Sequence, residues 1–218
     1  MSVALIVVDM QEYFCSLELP LGRLMAVAAP EEAQWYSEQL AANVVPNIAR
    51  LLDAFRAAER TVVFTEFGSR TSDGSDLPVW ARRHNEAAVA LVGERCYPPL
   101  TDPSARVIPA LAPRTGEAVV TKTTSGPLAG TDLADQLRAG DVDRVVVTGV
   151  ATDVCVTGMA RELADANFDA YVVTDACATP SRTAHAAALQ NLGGTFATLV
   201  ETDALLTAGA DSPLRERD

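Results

Sequence analysis

The chain has 218 residues, 49% of them apolar and 21% charged, with a formal net charge of −12. This length and apolar content suit one globular domain with an ample core and exclude a disordered chain. So acidic a surface offers no basic cluster to nucleic acid or to anionic membranes, so neither is an expected partner; the charge serves solubility.

The N-terminal stretch MSVALIVVDMQ has no basic region before its apolar run, and Asp9 interrupts that run early. No stretch reaches the ~18 apolar residues of a membrane span, and the expected location is the cytoplasm. Within the run, "VALIVV" (3–8) reads as a strand buried on both faces. Helical spacing follows from Trp35 to Glu59 (Leu40, Val44, Ile48, Leu51, Leu52, Phe55), with a disturbance expected at Pro46. "RTVVFTEF" is the second strand, and "GSRTSDGSDLPVWARRHN" reads as a loop holding a short turn of helix. "EAVVTK" is the third strand, ending at Lys122; a short helix capped by Thr131 comes next. "DRVVVTGV" is the fourth strand, "DVCVTGMARELADANF" its helix and "DAYVVTDA" the fifth strand. Ser181–Leu192 is a helix and "TFATLVE" the last strand. The spacing predicts an α/β fold: one domain over 1–210, a mostly parallel six-stranded sheet of Rossmann-like type with helices on both faces, and a frayed tail at 211–218.

Right-handed crossovers bring the C-terminal ends of parallel strands to one sheet edge, where open α/β sheets bind ligands. Asp9 ends the first strand, Glu66 lies near the end of the second, Lys122 ends the third and Cys155 follows the fourth, so all four are expected in one cleft. Singly, each has an ordinary reading: a turn aspartate, a solvated lysine, a buried thiol. Together they can perform chemistry. A thiolate is the competent nucleophile, and the first turn of a helix (capped by Thr152 or Asp153) and the Lys122 ammonium both favour negative sulfur. Asp9 can take the thiol proton and return it to a leaving amine, and N–H groups of the loop 151–155 can meet an oxyanion. The four cysteines (15, 96, 155, 177) form no close pair, and the only histidines, His84 and His185, lie far apart. Neither a disulfide framework nor a zinc site is expected, and no cofactor or metal is called for. Cys177, Cys15 and Cys96 read as packing residues. No phosphate-binding glycine motif follows a strand, so a nucleotide-binding Rossmann protein is set aside.

Three separated blocks carry a resemblance: "ALIVVDMQEYF", the long stretch from "VVTKTTSGPLAGTD" through "GVATDVCVTGMARELADANF" to "TDACAT", and "AALQNLGGTFATLV". The chain resembles the isochorismatase-like cysteine hydrolases, which include nicotinamidases, N-carbamoylsarcosine amidase, ureidoacrylate and biuret hydrolases and isochorismatase itself. The resemblance implies catalytic Asp9, Lys122 and Cys155, oxyanion donors at the N–H groups of Ala151 and Cys155, and a cis peptide between Val150 and Ala151. It implies a small-molecule substrate and a homodimer or homotetramer. The activity it implies is metal-independent cleavage of a C–N bond in a small amide, carbamoyl or lactam compound through a cysteine acyl-enzyme. The alternatives are vinyl-ether hydrolysis from Asp9 and a non-catalytic binding module.

The departures narrow the choice. Nicotinamidases carry an Asp-x-His pair after the second strand; this chain has "TEFGSRTSDGSD" there. After Lys122 the family often reads Ser-Ala-Phe; here stands Ser125-Gly126-Pro127-Leu128, which reshapes one pocket wall. The candidate wall residues are Phe14, Trp80 and Leu128, with Tyr13, Trp35, Tyr36 and Phe67 as further aromatics, and Glu66 as acceptor for an amide N–H or a cationic group of the substrate. Arg82 and Arg83 are candidates for a substrate carboxylate, with solvation as the ordinary reading. Ser16–Pro30 is expected to form a lid or to pack on a partner subunit.

Overall fold

The computed structural model describes residues 2–207. The expected domain end at 210 and tail at 211–218 lie outside them. Strands β1 (Ser2–Val8), β2 (Thr61–Phe67), β3 (Ala118–Lys122), β4 (Val142–Val150), β5 (Asp169–Ala178) and β6 (Thr198–Val200) form one sheet in the order β3-β2-β1-β4-β5-β6. Every pairing is parallel. The strand order reverses between β1 and β4, and crevices at such switch points receive ligands in this architecture.

The unbroken apolar run of β1 serves two cores because side chains alternate across a strand. Val3, Leu5 and Val7 face α4 (Val45–Ala57), whose Ile48, Leu51, Leu52 and Phe55 recur at helical spacing. Ala4, Ile6 and Val8 face α6 (Leu133–Ala139) and α7 (Thr157–Asp165), meeting Leu137, Met159, Ala160 and Leu163. Helices therefore cover both faces.

The disturbance expected at Pro46 is a π turn over Leu40–Val44, joining α3 (Pro30–Gln39) to α4; the Val45 N–H bonds to the Leu40 carbonyl five residues back. Proline has no N–H and crowds the carbonyl four residues earlier, and the wider turn absorbs both effects.

Other boundaries shift. The segment expected as a loop with a short helical turn contains α5 (Val79–Val92), 14 residues long and closed by Gly93 at φ 82°. Its inward positions are Ala81, Asn85 and Ala88, too small or too polar to show as an apolar period. The last strand is three residues long rather than seven. Asp132, not Thr131, is the N-cap of α6, although the Thr131 hydroxyl accepts the Leu133 N–H at 3.3 Å. The segment 16–30 holds α2 (Pro20–Ala28), packed on α3 and α5 of the same chain. The short α1 (Glu12–Cys15) and α9 (Thr202–Thr207), with α8 (Arg182–Leu192), complete the helices described.

Gly149, near the end of β4, has φ 106°, and a Cβ there would overlap the Val8 carbonyl oxygen on β1. This close approach at the switch point demands glycine. Gly149→Ala is expected to cost about 3 kcal/mol or more in urea unfolding, since it adds a backbone clash to a disfavoured φ. Gly93→Ala, also at positive φ but with nothing within 4 Å of the new Cβ, should cost only about 1 kcal/mol.

Candidate active site

Asp9 follows β1 directly and adopts φ 50°, a left-handed conformation that aspartate tolerates better than most residues. Its Oδ1 accepts the Thr65 hydroxyl at 2.6 Å, from the β2 residue paired with Val8. Its Oδ2 accepts the Lys122 ammonium at 2.6 Å. Lys122, at the end of β3, also donates to the Thr124 carbonyl at 3.1 Å and contacts the Cys155 Sγ at 3.3 Å. Its Nζ lies 5.1 Å from the centre of the Phe67 ring. Asp9, Lys122 and Cys155 are 0%, 1% and 2% exposed. Residues 9, 122 and 155, far apart in the chain, thus form one buried cluster around the ammonium.

Burial decides the proton on sulfur. It pushes the Cys155 thiol well up; Lys122 works against that shift, and the charge of Asp9 adds to it. Burial pulls Lys122 down, but Asp9 and the contact with Cys155 more than offset it, and the amine stays an ammonium. The resting sulfur is therefore a thiol, where the sequence reading leaned toward a thiolate. Asp9 is the carboxylate of the cluster, bound to the same Lys122 ammonium that contacts the sulfur.

Cys155 belongs to a π turn, Thr152–Val156, that leads into α7. The N-cap is Ala151, without a side-chain cap, rather than Thr152 or Asp153. The Val154 and Val156 N–H groups both bond to the Ala151 carbonyl at 3.1 Å. The peptide between Val150 and Ala151 is cis.

A family model described as the isochorismatase domain matches residues 3–204. The chain belongs to the isochorismatase family. Over 148 residues it is 32% identical to the uncharacterized isochorismatase family protein YwoC of Bacillus subtilis (strain 168), covering 68% of this chain and 74% of that one. It is 28% identical to Nicotinamidase 3 of Arabidopsis thaliana, over 93% of this chain and 86% of that one. Among solved structures, a cysteine hydrolase from Pseudomonas syringae pv. phaseolicola 1448A matches with a TM-score of 0.72 at 28% identity, covering 92% of this chain and 89% of the other.

In this isochorismatase-family site the fourth strand-end residue, Glu66, is turned to another task. Its Oε2 accepts Arg106 at 2.7 Å and its Oε1 the Val107 N–H at 3.3 Å. Glu66 alternates with Thr65 along β2, so the two side chains leave opposite faces. The carboxylate expected to receive a substrate N–H is thus already satisfied. Burial raises its pKa, and Arg106 opposes the shift. Among the described residues no three His, Cys, Asp or Glu side chains gather as a metal requires. His84 bonds the Tyr97 hydroxyl at 3.0 Å and His185 the Thr152 hydroxyl at 2.9 Å.

Phe14 and Trp80 belong to one aromatic cluster with Phe67. Trp80 stacks on Phe67 at 5.6 Å, and Phe14 lies 6.5 Å from it. Phe67 thus links the Lys122 ammonium to this wall. Leu128 is half-buried against the second core, and its N–H donates to Glu162 at 2.6 Å. A Cβ on Gly126 would overlap the same Glu162 carboxylate, so the backbone of 125–128 lies directly on α7. Arg82 donates to the Leu77 carbonyl at 2.8 Å and fastens its own loop. A cavity of about 520 Å³ lies behind the aromatic cluster, lined by Tyr13, Tyr97, Cys96, Ser69 and Ser104 among others; none of Asp9, Lys122 and Cys155 lines it.

Sequence reasoning missed Gln11. Its Oε1 accepts the Phe67 N–H at 2.8 Å, and its Nε2 donates to the Phe67 and Ala105 carbonyls at 2.9 and 2.6 Å. These bonds pin the residues after Asp9 to the end of β2. A polar residue two places after a strand-end aspartate was the available signal. Thr65 was missed because its role depends on the β1–β2 register.

The other three cysteines have burial raising them without an acid–base partner: Cys15 and Cys96 are pushed up to about 12, and Cys177 rises further. Cys155 is therefore expected to be the first of the four thiols alkylated at pH 8, followed by peptide mass spectrometry. Asp9→Asn should remove that lead while Cys15 keeps its rate.

Proposed function

We propose that this isochorismatase-family chain is a cysteine hydrolase that cleaves a C–N bond of a small amide, carbamoyl or lactam compound. The observation that carries the reading is the Lys122 ammonium held between the Asp9 carboxylate at 2.6 Å and the Cys155 sulfur at 3.3 Å, out of water, at the sheet's switch point. The names of Nicotinamidase 3 and of the Pseudomonas syringae cysteine hydrolase support both the amide substrate and the sulfur nucleophile.

The steps follow from the resting protonation. Asp9 takes the thiol proton as sulfur attacks the substrate carbonyl. The N–H groups of Ala151 and Cys155 receive the oxyanion of the tetrahedral intermediate, where preorganised donors in a water-poor site count most. Asp9 returns its proton to the departing nitrogen, the C–N bond breaks, and a thioester remains. Asp9 then takes a proton from water. The resulting hydroxide adds to the thioester, and sulfur leaves, regaining a proton through Asp9. Lys122 stays an ammonium throughout. It holds Asp9 in place and stabilises charge as the proton moves between sulfur and carboxylate.

The test is ammonia release from a panel of small amides and ureides, with lactam opening followed by mass. Cys155→Ala and Asp9→Asn are each expected to lower kcat/KM at least ~10³-fold, the scale on which removal of a nucleophile or its base acts. A chelator should leave turnover unchanged. An enzyme that survives Cys155→Ala but not Asp9→Asn would instead be an acid-catalysed vinyl-ether hydrolase.

A further inference from the structure

The turn that carries Cys155 has no cap of its own. Ala151, its N-cap, offers no side-chain oxygen, and π turns are rare and recur at functional sites. Two neighbouring segments supply the hold instead. Thr179, just past β5, donates its hydroxyl to the Asp153 carboxylate at 2.5 Å. His185, on α8, bonds the Thr152 hydroxyl through Nδ1 at 2.9 Å. Thr152 is fully buried, and its carbonyl accepts the Thr157 hydroxyl at 2.7 Å. The first residue of the turn is thus fastened by both side chain and backbone, three residues before the sulfur.

His185 is itself braced. Trp35 of α3, a candidate for the pocket wall, instead sets its ring edge-on to the imidazole at 6.3 Å, with the Arg182 guanidinium 5.3 Å from the indole. The Glu32 carboxylate accepts the backbone N–H of Arg182 at 3.1 Å and ties α3 to the start of α8. Tyr36, the next residue on α3, is buried in the first core. Burial lowers the pKa of His185, with the charge of Asp153 opposing the shift. At pH 8 the ring is therefore neutral, and its tautomer decides whether Nδ1 accepts the Thr152 proton or donates to the Thr152 oxygen.

We propose that His185 is a positioning residue: through the Thr152 hydroxyl it sets the place of the Cys155 sulfur against the Lys122 ammonium. The inference rests on the cysteine-hydrolase reading and adds a residue that touches neither substrate nor sulfur. The sulfur meets the ammonium at 3.3 Å, and small displacements of a reacting group cost rate steeply. Thr152 also lies between Ala151 and Cys155, so the same bond steadies both of the N–H groups assigned to the oxyanion.

The test is alkylation by iodoacetamide at pH 8, followed at Cys155 and Cys177 by peptide mass spectrometry. His185→Leu keeps bulk against Trp35 without the bond, and Thr152→Val keeps the shape of Thr152 without its hydroxyl. Each is expected to slow Cys155 about tenfold, the scale of one lost hydrogen bond, and to leave Cys177 unchanged. The double variant should be no slower than either single one, since both changes remove the same bond. His185→Asn, which keeps a polar atom where Nδ1 stood, should restore the rate to within about threefold of wild type. A bond that only steadied the fold would act in the opposite sense, because its loss would loosen burial and speed alkylation at Cys155 and Cys177 alike. An unchanged or faster Cys155, a matching change at Cys177, additive losses in the double variant, or no rescue by asparagine overturns the proposal. A wild-type Cys155 that reacts no faster than Cys177 overturns the cysteine-hydrolase reading itself, and this inference with it.

Discussion

The ion pair between Asp9 and Lys122 is the constraint around which the sheet edge is arranged. Taking a carboxylate and an ammonium out of water costs several kcal/mol per ion, and their attraction repays this only with good geometry and further hydrogen bonds. Both conditions hold. The pair is 2.6 Å long, Thr65 occupies the second oxygen of Asp9, and the Thr124 carbonyl takes another ammonium proton. Each partner comes from a different segment, so neither charge is tolerable until β1, β2, β3 and the loop after β3 have all come together. This costly buried pair is thus also what draws the cluster together.

The same pair accounts for a sulfur that rests as a thiol and is still suited to the proposed nucleophilic role. A lone cation would pull the proton from Cys155. A cation already spent on a carboxylate does so only in part, and burial prevails. The cluster therefore stores its proton on sulfur, next to a base that can take it without any charge leaving the site. Net charge stays constant as the proton crosses from sulfur to Asp9, which suits a chamber where an added charge is costly.

Much of this was legible in the residues, for physical reasons that differ by element. The run 3–8 is apolar at every position because both its faces are buried, and that pattern has few other readings. Asp9, Lys122 and Cys155 announced themselves by ending or following strands, and parallel topology does the rest. Helix α5 was hidden because Ala81, Asn85 and Ala88 face inward, and Asn85 is there to accept the Cys96 and Tyr97 N–H groups at 3.0 and 2.9 Å. Glu66 was placed at the right edge, but its protein partners were not legible. Its counter-charge, Arg106, lies forty residues on, in a segment without periodicity that is brought alongside by hydrogen bonds to residues 10–12.

The stretch Ser125–Leu128 shows how one departure from the family pattern propagates. Gly126 sits where any side chain would overlap Glu162, and Gly158 on α7 has the Gly126 N only 3.0 Å from where its own Cβ would stand. Two glycines facing each other let the loop lie flat on the helix, and Glu162 then accepts the Leu128 N–H. A loop docked in this way lays its backbone on the helix. The ring near the ammonium is Phe67, buried at the end of β2 with Trp80 stacked on it. Phe67 ends the strand that also supplies Thr65 to Asp9. The ring beside the ammonium and the hydroxyl bonded to its carboxylate therefore share one strand end, which Gln11 ties to the residues after Asp9.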